Sequence, residues 1–127
     1  MPWFALECIR ESSGVGPIHP CDLRRPIAER QQDARFDGID WSSVPEGEDE
    51  FNPSESPEEK SVRCQAFLKW IQARPESHIV VVAHSNILTH LTSNFLPGTQ
   101  GEGPHGVPGD FAFSNAELKR VECAFLL

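Results

Sequence analysis

The sequence predicts an α/β protein in which a mostly parallel sheet is flanked by helices, and three observations predict it. The run Ile79-Val80-Val81-Val82-Ala83 is apolar without polar alternation, the pattern of a parallel strand covered on both faces. Ahead of it, Ser56-Pro57-Glu58-Glu59 is a helix-opening signature followed by apolar residues at helical spacing. Behind it, the chain passes through His84 into a second helical period, so helix, strand and helix alternate.

Taken in order, Trp3 to Ile9 reads as a short strand, closed by Arg10, Glu11 and a Ser-Ser-Gly-Val-Gly-Pro turn cluster. Asp22 can cap a helix that Pro26, tolerated in a first turn, places at about 25–34. From Asp37 to Pro53 the chain is rich in acids, Gly and Pro with no apolar period. It is expected to be a mobile surface loop without chemistry. In the helix that Ser56 opens, Val62, Ala66, Phe67, Trp70 and Ile71 form one apolar face, and Pro75 ends it. After the strand at 79–83, Ser85 is the expected cap of a helix carrying Ile87, Leu88, Leu91 and Phe95, which Pro97 and Gly98 terminate. A Gly/Pro loop over 97–110 precedes a return to the sheet at 111–113 and 117–125.

With 127 residues and 14.2 kDa there is room for one core, so the chain is one domain or part of one. Its net charge of −8 is local, because Asp37 to Lys60 hold nine acids and one base while the remaining acids and bases balance. That balance argues against nucleic acid, since phosphate contacts need clustered Lys and Arg, and Arg24 with Arg25 make no patch. No apolar run reaches membrane-span length and no leader pattern opens the chain, so a soluble, cytoplasmic protein is expected. Cys8, Cys21, Cys64 and Cys123 lack Cys-x-x-Cys spacing, and His19, His78, His90 and His105 lack metal-ligand spacing. Reduced thiols, no metal and no cofactor are expected.

The chemistry points to His84. It stands at the carboxyl end of the expected central strand, where open α/β sheets bind ligands. The following helix would bring free N–H groups and a positive dipole beside the imidazole, which suits a phosphate or carboxylate. A histidine merely hydrogen-bonded at a strand end fits the spacing equally well. Ala83-His84-Ser85-Asn86 is not a Gly-x-Ser-x-Gly elbow, so Ser85 is not read as a hydrolase nucleophile.

The stretch from Ile79 to Ser85 resembles the second-histidine motif of the histidine phosphatase superfamily, with its phosphoglycerate mutase-like fold. Leu6-Glu7-Cys8-Ile9-Arg10-Glu11 resembles the family strand that ends in its acidic residue. Cys21-Asp22-Leu23-Arg24-Arg25, Ile39-Asp40-Trp41, the helix Arg63 to Arg74 and Asn115-Ala116-Glu117-Leu118 follow in family order. The set is similar to the fungal and plant phosphoglycerate mutase-like branch. The resemblance implies a three-layer α/β domain with a mostly parallel sheet, and phosphomonoester hydrolysis or phosphoryl transfer through a phosphohistidine. It implies His84 as the phosphate-contacting histidine with Ser85 beside it at the phosphate, Glu11 as proton donor with Glu7 a weaker candidate, and a phosphorylated small molecule as partner. The family nucleophile lies in an Arg-His-Gly at the end of a first strand. No Arg-His-Gly occurs in these 127 residues, which begin directly before the acid-bearing strand and so resemble the C-terminal part of the domain, without its N-terminal strand. A phosphohistidine route needs that nitrogen, so the chain alone is expected to be inactive, with a truncated product or pseudoenzyme as the alternative. Substrate and oligomeric state are not readable from the loops that would set them.

Overall fold

A computed structural model describes residues 1–12, 20, 23–49, 54–96, 113, 116–121, 123 and 125. The chain divides into two compact units, Met1–Cys8 with Ser13–Glu55, and Ile9–Ser12 with Ser56–Leu127. The described residues hold one small parallel sheet, in the first unit, together with helices, so the chain is α/β.

In the first unit, β1 (Trp3–Leu6) pairs in parallel with β2 (Ile39–Ser43), Trp3 opposite Ile39, Phe4 opposite Asp40 and Leu6 opposite Ser43. Parallel partners need a long crossover, and it contains α1 (Ile27–Gln31) and a 3-10 turn over Ala34–Phe36. β1 is shorter than the expected strand to Ile9. Val44 N–H turns back onto the Trp41 carbonyl at 2.9 Å, so the ladder stops opposite Leu6, and Glu7–Ile9 winds into a 3-10 turn instead.

β2 corrects the expected acidic loop. Within 37–60 the stretch Ile39–Ser43 is a strand, its Ile39 and Trp41 half-buried and its Asp40 and Ser42 exposed. The alternation is real but only five residues long, and the surrounding acids conceal it. Gly38, at φ +81°, makes the turn into it in a conformation that favours glycine. Trp41 then packs edge-on against Phe36, with centroids 6.1 Å apart.

Helix α1 is half its expected length and starts two residues later than expected; Asp22 lies outside the described residues. The Pro26 carbonyl accepts from Glu29 and Arg30 at 3.1 and 3.4 Å, with no side-chain cap. Asp33 ends the helical run by accepting from the Arg35 N–H, and this local bond draws 34–36 into the 3-10 turn.

The second unit is built on α2 (Pro57–Gln72) and α3 (Ser85–Phe95). α2 opens as its sequence dictates. Ser56 Oγ accepts from Glu59 N–H at 3.2 Å, and Ser56 N–H donates to Glu59 Oε2 at 2.7 Å. Its buried stripe is rotated from expectation, because Cys64 and Phe67 are inside while Val62 is 66% exposed and Ala66 is also outside. Cysteine behaves as a small hydrophobe and takes the position that apolar counting assigned to its neighbours. α3 buries Ile87, Leu91 and Thr92, whose hydroxyl donates to the Leu88 carbonyl at 2.9 Å. Ser61 Oγ and His90 Nε2 join the two helices at 2.9 Å.

Residues 79–83 form no strand, and Val80 and Val82 are 63% and 82% exposed. β-branched residues favour the extended backbone, yet a strand exists only against a partner, and no described residue pairs with these. Phe113 and residues 116–121, 123 and 125 likewise hold no strand, with Ala116 at φ 57° and Leu118 exposed, so the expected return to the sheet is corrected there. The loop 97–110 and residues 111–112 lie outside the described residues.

Candidate functional site

The site forms where Ile9–Ser12 meets the start of α3. His84 is the N-cap residue, extended at φ −100° and ψ 157°, and its side chain makes no capping bond. Ser85 is therefore the first helical residue and not the cap, and its hydroxyl donates to the Phe113 carbonyl at 2.9 Å. A hydroxyl proton given to a carbonyl cannot also be given to a phosphate, which removes its donor role in the arrangement observed.

The open amides of α3 are met by Glu11. Its Oε1 accepts from Ile87 N–H at 3.1 Å and from Ser12 N–H at 2.8 Å, and its Oε2 lies 3.4 Å from Asn86 N. A carboxylate on those donors is favoured twice, by the hydrogen bonds and by the positive end of the helix dipole. Glu11 and His84, 73 positions apart in sequence, thus converge on one helix terminus. A helix terminus does follow His84, and its amides are met by the chain's own carboxylate.

Glu7, the other acid considered, is engaged elsewhere, in the first unit. Its Oε2 pairs with Arg24 Nε at 3.4 Å, while Arg24 N–H donates to Asp49 Oδ2 at 2.6 Å. Both partners are largely covered, so Glu7 is a structural ion-pair partner. The described residues hold no group of three His, Cys, Asp or Glu that could take a metal ion. Among them, no helix is long and apolar enough to cross a membrane.

Arg63 is a residue that apolar counting passed over. Its Nη1 donates to the Arg10 carbonyl at 3.0 Å, joining α2 to the peptide that leads into Glu11. No local sequence signal announces a bond over 53 positions.

The model of the histidine phosphatase superfamily, branch 1, matches residues 24–124. The chain belongs to the histidine phosphatase superfamily. The match includes Arg63, His84 and Ser85, and begins after Glu11. Three relatives from Arabidopsis thaliana are similar to it. A phosphoglycerate mutase-like protein is 40% identical over 97 residues, covering 74% of this chain and 34% of the relative. Phosphoglycerate mutase-like protein 1 is 33% identical over 123 residues, 94% of this chain and 41% of its own length. Phosphoglycerate mutase-like protein 2 is 32% identical over 84 residues, 64% and 24% of the two. The chain therefore spans about a third to two fifths of the length of the first two relatives. No solved structure matches it significantly.

Proposed function

We propose that these residues form the acid and histidine side of a phosphoryl site, which binds phosphate weakly and does not by itself turn over phosphomonoesters. The observation that carries this reading is the Glu11 carboxylate on the amides of Asn86 and Ile87, directly after His84. It sets the acid that family likeness assigns to proton donation on the helix terminus that directly follows the histidine it assigns to phosphate. His84 is exposed, so its imidazole is open to a ligand.

The chemistry explains the division between binding and turnover. A phosphohistidine reaction forms a P–N bond as the leaving oxygen departs, and an acid protonates that oxygen. His84 can contact the phosphoryl oxygens; Glu11, to which family likeness assigns the proton, accepts from the amides of α3 in the arrangement observed and must leave them to donate. The family's accepting nitrogen belongs to Arg-His-Gly, which these residues do not contain. In the arrangement observed, a phosphate must also share the helix terminus with a carboxylate, which weakens its hold.

Two measurements test the reading. Inorganic phosphate titrated into the chain should shift the His84 ring resonances at millimolar concentration, and His84→Ala should remove the response. An aryl phosphate should not be hydrolysed above buffer background. Turnover that disappears in His84→Ala or Glu11→Gln would overturn the claim of no catalysis, and an unmoved His84 ring would overturn phosphate binding.

A further inference from the structure

α3 starts without help from its own sequence. His84 offers no capping side chain, the Ser85 hydroxyl is turned to Phe113, and the first turn holds no acid. The amides of Asn86 and Ile87 depend on Glu11, a three-torsion side chain whose freedom must be restrained if it is to stay there.

Two contacts restrain it. Ser12, buried at 4% exposure, gives its N–H to Oε1 and fixes the orientation of the carboxylate. Arg63 acts one peptide earlier. The Arg10 carbonyl it holds belongs to the planar Arg10–Glu11 peptide unit, so one guanidinium bond fixes the plane that ends at the Glu11 Cα. The bond comes from a permanently charged donor, stronger than a neutral one. It also comes from α2, in the same compact unit as α3.

We propose that Arg63 is the positioning residue for Glu11. It anchors the 9–12 segment to α2 so that the carboxylate reaches the terminus of α3 behind His84. The functional weight of this role rests on the reading of Glu11 and His84 as the acid and histidine of a phosphoryl site. Arg63 does not touch the phosphate; it acts through Glu11.

The test is residue-resolved amide exchange on the full chain. Arg63→Met keeps the apolar stem and removes the donors. Asn86 and Ile87 should then exchange roughly fivefold faster while Leu91, deep in the same helix, stays unchanged. Arg63→Lys, which still donates to the carbonyl, should restore protection. Glu11→Ala should expose the same two amides, and adding Arg63→Met to it should expose them no further. Faster exchange spread evenly along α3, or full protection at Asn86 and Ile87 in Arg63→Met, overturns the proposal. If Arg63→Met does not fold, Arg63→Lys decides alone: protection kept supports the anchor, and protection lost in a folded chain overturns it. Phosphate read at the His84 ring is separate. A silent ring with Arg63-dependent protection refutes phosphate binding and leaves the anchor standing.

Discussion

Asp33 and Arg35 stand two positions apart at the surface, and their pairing gives the chain a readable response to acid. The Arg35 guanidinium, donating from Nε to Oδ1 at 2.9 Å, is the main cause that holds the Asp33 carboxyl down to about 2, and the Arg35 backbone N–H adds to it. A depressed carboxyl favours the folded state above its ordinary value near 3.8, and that contribution is lost as the pH falls from there through about 2. Arg35→Ala should bring the Asp33 midpoint back toward the ordinary value, read by carboxyl carbon resonances; a midpoint left where it was would show that the guanidinium is not the cause. This pair was legible in principle, since its members are neighbours. Glu11 and His84 were legible only as two separate residues with family roles. Nothing local says that one caps the helix of the other, because the information lies in a contact over 75 positions.

At the scale of elements, what the sequence could show depended on how local each element's support is. α2 carries its own start, with Ser56, Pro57 and Glu59 within four residues, and it forms where its signature stands. Ser56→Ala should destabilise the second unit by about 1 kcal/mol, measured by denaturant unfolding. A loss within error would mean that Pro57 and the first-turn acids suffice. The strand at 39–43 was hidden because its two inward residues are outnumbered by acids that serve solvent. The apolar run at 79–83 misled in the opposite direction. Propensity describes what a segment does against a neighbour, and among the described residues no neighbour pairs with it. The rotated stripe of α2 has the same origin, since apolar counting passed over Cys64 and could not foresee the inward bond of Arg63.

Over the whole molecule, most of the net charge and the exposed 79–83 run fall in different units. The first unit holds eleven acids and four bases, net −7, and the second holds eight and seven, net −1. The uncharged 79–83 run therefore lies in the unit with almost no net charge to keep copies apart, and exposed apolar surface favours association. Val82→Lys, at a position 82% exposed, should lower concentration-dependent association in sedimentation with little change in unfolding midpoint. Equal association in the variant would place the sticky surface elsewhere. The cap of α3 has a consequence in time. α2 can nucleate as soon as Ser56 to Glu59 exist, whereas α3 must wait for a loop of some 75 residues to close before Glu11 reaches its amides. Early folding events should therefore include α2 and leave the start of α3 frayed. In a kinetic analysis Ser56→Ala should slow folding, while Glu11→Ala should chiefly hasten unfolding. On a ribosome the same order would leave the earlier-made Glu11 carboxylate idle until the helix it caps has emerged.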